Sequence, residues 1–273
     1  MNPITQPYVS DYLDTLLPKR TGILARLEKD AREQEIPIIT PEVASLMEIL
    51  ITTTQCRQIL EVGTAIGYSA LLFCMAAGPE SRVITIEREP RLIDAARRNI
   101  DEAGLSEQIK VMPGDATEVL PCLTEPVDLI FLDGAKGHYT EMLDHCLALL
   151  KPGGLLVSDN ILYKGMVAAD LSSVKRRQRT IVRRMRAYLK TITTHPLLQT
   201  SLLPVGDGLA ISLKLENSQE LSLEDVPDHQ EILEEYRQFR NNPDQYKIYS
   251  SVQEMFDDLD DETEENEEPH EPK

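Results

Sequence analysis

Five short stretches place carboxylates, an amide, a lysine and glycines at the ends of apolar runs: "LEVGTAIGYSALL" (60–72), "VITIERE" (83–89), "VMPGDAT" (111–117), "FLDGAKGHY" (131–139) and "VSDNILYKG" (157–165). In the first, Glu61 ends an apolar run and Gly63 and Gly67 follow it. Gly63 can take backbone angles closed to other residues, and Gly67 allows close approach. The spacing is G-x-x-x-G, not the G-x-G-x-x-G that cradles a pyrophosphate at a helix start, which disfavours a dinucleotide-binding dehydrogenase. A carboxylate at Glu61 would repel phosphate, but it can accept hydrogen bonds from an ammonium group. Glu87 follows the glycine turn at about the 20-residue spacing from which an acidic side chain takes both ribose hydroxyls. Asp115, in "GDAT", can meet the amino group of a purine. Ribose, adenine and an ammonium-bearing arm together describe S-adenosylmethionine. A glycine turn alone would be only a tight strand–helix connection; Glu87 and Asp115 at the next two strand ends make the ligand reading the stronger one.

The other two stretches carry a different chemistry. Asp133 ends one apolar run, and Asp159 and Asn160 end the next. Two carboxylates and an amide form a hard, all-oxygen set that suits Mg²⁺ or Mn²⁺, with water or substrate oxygens completing the shell. The plainer reading of Asp159-Asn160 is the start of a turn; Asp133 on the neighbouring strand favours metal. His138 and Tyr139 receive no chemical role. His145, inside an apolar helix, reads as a core histidine, and Asp207, in "VGDGL", as a turn residue.

These side chains need a scaffold that brings strand ends together. Apolar runs at "RQILEVG", "RVITIE", "QIKVMPG", "VDLIFLD" and "GLLVSDN" alternate with helix-like stretches at 67–77, 89–103, 116–122 and 137–151. Alternation of this kind predicts a parallel sheet with helices on both faces, and right-handed crossovers put every strand's carboxyl end on one edge. Upstream, 8–35 reads as one or two amphipathic helices, and Pro41 as the first residue of another, capped by Thr40. Downstream, a basic helix covers about 172–194, and two strand-like runs around Gly206-Asp207-Gly208 read as a hairpin closing the sheet.

Composition bounds the rest. Of the net charge of -18, residues 216–273 hold 20 acidic and 4 basic side chains, whereas 1–215 hold 26 and 24. The expected organisation is therefore a catalytic domain over 1–215 and an acidic tail over 216–273, with one helix at 228–241 and a disordered end. Cys56, Cys74, Cys122 and Cys146 lie in apolar runs with no C-x-x-C spacing. They read as buried free thiols in a reducing compartment, the cytoplasm. No signal peptide and no membrane-spanning run is expected.

In order and spacing, "LEVGTAIGYSALL", "VITIERE", "GDA", "FLDGAKGHY", "SDNILYKG" and "LPVGDGLAIS" resemble the metal-dependent O-methyltransferases of the catechol-methyltransferase type, from about residue 35 to 214. The resemblance implies a Rossmann-like seven-stranded α/β methyltransferase sheet with its last strand antiparallel, and a homodimer. It implies cofactor contacts at Ile39, Glu61, Gly63, Tyr68, Ser69, Glu87, Asp115, Ala116 and Asp133. It also implies a metal at Asp133, Asp159 and Asn160, and Lys136 as general base beside Asp133. Ala65 departs from the middle glycine of many methyltransferases.

The acceptor is read from the basic helix. Between Val174 and Lys190 stand eight cations, Lys175, Arg176, Arg177, Arg179, Arg183, Arg184, Arg186 and Lys190. A charged face is usually only solvated, but this density just after the metal loop favours phosphate backbones, with Arg176, Arg177, Arg179, Arg183 and Arg184 as contacts. "KRRQRT" followed by "SLLPVGDGLAISLK" is similar to the bacterial tRNA 5-hydroxyuridine methyltransferases. That similarity implies methylation of the wobble 5-hydroxyl in a tRNA anticodon stem-loop, giving 5-methoxyuridine. The alternatives are a small-molecule catechol or caffeoyl-type O-methyltransferase and a non-catalytic RNA-binding module; the intact Asp133, Lys136, Asp159 and Asn160 set argues against the last.

Overall fold

The computed structural model describes residues 5–216; the tail expected to carry a helix at 228–241 lies outside the described residues. Seven strands form one sheet: β1 (Gln58–Val62), β2 (Arg82–Glu87), β3 (Ile109–Pro113), β4 (Val127–Leu132), β5 (Leu150–Asp159), β6 (Leu198–Leu203) and β7 (Leu209–Lys214). Their order is β3-β2-β1-β4-β5-β7-β6. The first five are parallel, and β7 runs antiparallel to both β5 and β6. The order reverses between β1 and β4, so a crevice opens beyond their carboxyl ends, where open α/β sheets bind ligands.

The period-two alternation of strands divides the core. Ile59, Phe131 and Val157 pack in one layer with α2 (Gly22–Glu33), α3 (Pro41–Thr53), α4 (Tyr68–Ala77) and α5 (Pro90–Glu102). Leu60, Val62, Ile130, Leu132 and Leu156 pack in the other with α7 (Tyr139–Leu149) and α8 (Arg176–Thr194). The remaining helices are α1 (Pro7–Leu16) and the short α6 (Ala116–Val119). No helix among the described residues is long and apolar enough to cross a membrane.

Several expectations change in detail. The helix expected over 116–122 tightens to a 3-10 turn at Leu120–Cys122, where Pro121 supplies no backbone donor. Cys122 closes that turn and is exposed, unlike the other three cysteines. His145 is exposed as well. The buried positions of α7 are Tyr139, Met142, Leu143, Cys146, Leu147 and Leu149, so helical period sends His145 to solvent despite its apolar neighbours. Thr40 occupies the position before Pro41, but its side chain makes no capping bond.

Candidate active site at the carboxyl edge of the sheet

The two glycines of the first motif divide their tasks differently from the expectation. A Cβ on Gly63 would lie 2.8 Å from the backbone nitrogen of Gly134, and one on Gly134 would lie 3.0 Å from the Cα of Gly63. The turns after β1 and β4 thus meet backbone to backbone, fastened by Asp133 N–H and Gly134 N–H donating to the Val62 carbonyl at 2.9 and 2.8 Å. Gly67 has room for a Cβ, which would stand 3.4 Å from Ala96; its requirement is a φ of +85° at the start of α4. Ala65, where many methyltransferases have glycine, keeps a left-handed φ of 45°. Of the seven non-glycine residues with positive φ among the described residues, Ala65, Ala135, Asn160, Tyr163 and Lys164 all lie on loops at this edge. Backbone strain concentrates where loops must aim groups at a site.

A cavity of about 770 Å³ opens at the same edge. Ile39, Gly63, Ala65 and Glu87 line one part of it, and Asp133, Lys136, Asp159, Asn160, Lys164 and Asp207 another. Glu61, Tyr68, Ser69, Asp115 and Ala116 are not among its lining residues. The Tyr68 hydroxyl donates instead to Glu28 at 2.6 Å. Asp115 caps α6, accepting from the Thr117 backbone N–H at 3.0 Å and its hydroxyl at 2.8 Å, which lowers its pKa, with a smaller contribution from Arg88. Glu87 is held by three backbone donors: Ala65 N–H at 3.0 Å on one oxygen, Arg88 N–H at 2.9 Å and Glu89 N–H at 3.0 Å on the other. Its carboxylate is fixed before any ligand arrives.

Glu61 is fully buried. Its register partner on β2 is Thr85, whose hydroxyl donates to Oε2 at 2.5 Å. The other oxygen, Oε1, makes no hydrogen bond of good geometry among the described residues, although the Ser69 hydroxyl stands close enough to the carboxyl to offset part of its burial. Burial pushes this carboxyl up from 4.5 to about 7. Below pH 4.5 the side chain is protonated both folded and unfolded, so folding meets no penalty. As pH rises toward 7 the unfolded chain loses the proton first, and stability falls. Above pH 7 the accumulated cost is on the order of 3 kcal/mol. Glu61→Gln should therefore stabilise the cofactor-free protein at pH 8 by on the order of 3 kcal/mol, with the gain shrinking toward pH 5. Urea unfolding at the two pH values checks this; a gain that does not change with pH would refute the assignment.

Asp133 and Asp159 end adjacent strands. Asp159 is 2% exposed. Its Oδ1 accepts from the Asn160 backbone N–H at 2.6 Å, and Asn160 sits at a φ of 61°. Burial and then the neighbouring Asp159 charge push the Asp133 carboxyl up; burial does the same to Asp159. The Lys136 ammonium donates to Asn160 Oδ1 and lies 3.7 Å from Asp133 Oδ1. A protein cation thus already rests on part of this oxygen set. Two carboxylates destabilised by burial, Asp133 also by the Asp159 charge, beside an amide oxygen, fit a hard dication. Among the described residues no third carboxylate, histidine or cysteine joins them, so other ligands would come from water or the acceptor.

Tyr139, given no role from sequence, ties the edge together. Its buried hydroxyl lies 2.9 Å from the Leu132 carbonyl and 3.2 Å from that of Asp159, spanning the ends of β4 and β5. Its ring meets Tyr188 of α8 edge-on at 5.2 Å, and the Tyr188 hydroxyl shares a 2.5 Å hydrogen bond with Ser158. Asp207 both stands in a turn and lines the cavity: its carboxylate accepts from the Lys164 N–H at 2.6 Å, and burial raises its pKa. Lys164 and, from α1, Ser10, Asp11 and Asp14 also line the cavity and carry no sequence signal of it. The basic helix is split. Arg179 donates to the Val174 and Ser172 carbonyls, Arg184 to Gly137 and Arg186 to Val167 and Ala169. Arg176, Arg177 and Arg183 are exposed, with no side-chain partner among the described residues.

Comparison with known proteins agrees with the fold. The sequence model of the O-methyltransferase family matches residues 19–215. A catechol O-methyltransferase of Niastella koreensis is 33% identical, over 75% of this chain and 96% of its own. The crystal structure of TomG, an O-methyltransferase of Streptomyces achromogenes involved in tomaymycin synthesis, in complex with SAM, superposes with a TM-score of 0.67 at 27% identity, covering 76% of this chain and 96% of TomG. An O-methyltransferase of Bacillus cereus in complex with SAH gives the same TM-score at 25% identity, over 76% and 97%. The seven-stranded sheet, the glycine pair at its switch point and a match over most of the chain lead to one conclusion: the protein belongs to the O-methyltransferase family of class I, S-adenosylmethionine-dependent enzymes.

Proposed function

We propose that the chain moves the methyl group of S-adenosylmethionine to one of two neighbouring oxygens on its acceptor, with Mg²⁺ or Mn²⁺ held by Asp133, Asp159 and Asn160. The observation that carries this reading is the pair of destabilised carboxylates beside an amide oxygen, lining the same cavity as Glu87. When bound, the metal would make an acceptor hydroxyl more acidic. Glu87, fixed by three N–H groups, takes the ribose hydroxyls. Lys136, once it has given up a proton to solvent and is a neutral amine, accepts the hydroxyl proton. The oxygen attacks the methyl carbon in line; an O–C bond forms, the C–S bond breaks, and the sulfonium leaves as a neutral thioether. Labelled methyl transfer with and without EDTA tests the metal.

For the acceptor, the reading is the 5-hydroxyl of 5-hydroxyuridine at the wobble position of tRNA. Two features support it. The 5-hydroxyl and O4 of that base are vicinal, and an anticodon loop presents its bases unstacked. Arg176, Arg183 and Lys190 follow one another at seven-residue spacing, so they share a face of α8, with Lys175 and Arg177 beside its start. Nucleoside mass spectrometry from cells lacking the gene should show 5-hydroxyuridine in place of 5-methoxyuridine. A direct test is the salt dependence of anticodon stem-loop binding. Replacing Arg176 and Arg177 with alanine should flatten the slope of log K against log salt by about one to two units. An unchanged slope would remove the RNA reading. A small vicinal diphenol is the second reading. It is favoured by the inward-turned Arg179, Arg184 and Arg186, which leave the helix with fewer free cations, and by the name of the Niastella koreensis relative. The homodimer belongs to this proposal too; sedimentation velocity tests it.

A further inference from the structure

The turn that carries Lys136 has little of its own to hold it. Lys136–His138 is a single 3-10 turn, entered through Ala135 at a left-handed φ of 57°. Its one backbone bond from His138 N–H to the Ala135 carbonyl, 2.7 Å, closes the turn on itself. α8, distant from this turn in sequence, packs against it. The Arg184 guanidinium donates to the Gly137 carbonyl at 3.1 Å, and a Cβ at Gly137 would approach that same Nη1 to 3.7 Å. Arg184 also lies 3.9 Å from Glu141 Oε1, while the other oxygen of Glu141 is 2.6 Å from His138 Nδ1. Arg184 therefore grips the turn directly at Gly137 and, through Glu141, at His138, on both sides of one peptide unit. α8 itself is anchored: Val182, Met185, Tyr188 and Ile192 are buried, and Tyr188 is bonded to Ser158 on β5.

We propose that Arg184 is a positioning residue for Lys136: it holds the Gly137 carbonyl so that the lysine is delivered to the oxygen cradle of Asp133 and Asn160. This rests on the reading of Lys136 as the base. The proposal moves Arg184 from the RNA-contacting set to the catalytic scaffold. It also gives a reason why a long cationic side chain stands there: its Nη1 donates to the Gly137 carbonyl and lies beside the Glu141 carboxylate. Arg186 does the equivalent for the loop after β5, binding the Val167 and Ala169 carbonyls, so one helix fastens both loops of the catalytic edge.

Two measurements on the full chain test it. The first needs no turnover. Hydrogen exchange at the His138 amide should accelerate about three- to tenfold in Arg184→Ala, the loss expected for one half-exposed charged hydrogen bond, while amides of β1 and β4 keep their rates. Arg184→Lys, with one donor group and no fork, should fall between. The second is single-turnover methyl transfer to catechol at saturating S-adenosylmethionine. Arg184→Ala should slow it about tenfold with the cofactor's affinity unchanged, and should have almost no effect when added to Lys136→Met. Equal slowing in both backgrounds, or unchanged exchange at His138, overturns the proposal. Full turnover in Lys136→Met overturns the base reading instead, and the exchange result then decides the grip on its own.

Discussion

Asp159→Ala should lower methyl transfer by about a thousandfold or more while S-adenosylmethionine affinity stays within about threefold. The magnitude follows from what the pair does. A bound dication contributes several kcal/mol by stabilising developing charge on the acceptor oxygen, and each 1.4 kcal/mol or so is a factor of ten in rate. Asp159 lies at the buried end of the oxygen set, so no exposed side chain can replace it. Cofactor binding should survive because the proposed ribose contact, Glu87, is held by Ala65, Arg88 and Glu89, none of which touches Asp159. Stability gives a separate control. In the metal-free protein Asp133 and Asp159 are pushed up by burial, and Asp133 by the Asp159 charge as well. Removing one of them relieves that repulsion, so the melting temperature without metal should not fall. Full activity of Asp159→Ala, or of the wild type in excess EDTA, would sink the metal assignment; a collapse in melting temperature would show that the lost rate reflects unfolding.

The sequence shows the edge of the site better than its walls. The first five strands are legible because each is an apolar run ending in a polar or glycine residue. Once they are parallel, topology alone brings Glu61, Glu87, Asp133 and Asp159 to one edge. The pairing of Gly63 with Gly134 was not legible, because it depends on how closely two turns approach and leaves no spacing signal. Nor was the placement of Ser10, Asp11 and Asp14, which reach the cavity from α1, far away in sequence. His145 reads as a core residue from its apolar neighbours along the chain, but helical period turns it to solvent. The basic helix was half legible. Counting cations identified it, but a count does not show which guanidinium groups reach across to a neighbouring loop's carbonyls. Tyr139 carries no sequence signal because its part lies in its hydroxyl, buried against the ends of two strands, where no motif points.

Lys136→Met should produce two effects of opposite sign. Its ammonium donates to Asn160 Oδ1 and stands near Asp133, which are two of the three groups assigned to the metal. Lysine and dication thus compete for the same oxygens. Methionine keeps the length and apolar stem of the side chain but carries neither charge nor donor. The competing cation disappears, so Mn²⁺ affinity, read by calorimetry or by electron paramagnetic resonance, should rise by about three- to tenfold, the scale of one partly screened charge interaction. Turnover should nevertheless fall by about 10²- to 10⁴-fold, because the group that takes the acceptor's proton is gone. A purely structural lysine would lose both together, and a solvated bystander would change neither. Raising the pH should recover part of the lost rate in Lys136→Met, since a more acidic hydroxyl on the acceptor then ionises without help. Tighter metal with slower transfer is the signature of a residue that both guards the cradle and acts in it. Weaker metal would mean that Lys136 supports the carboxylates, and unchanged turnover would return the proton to solvent.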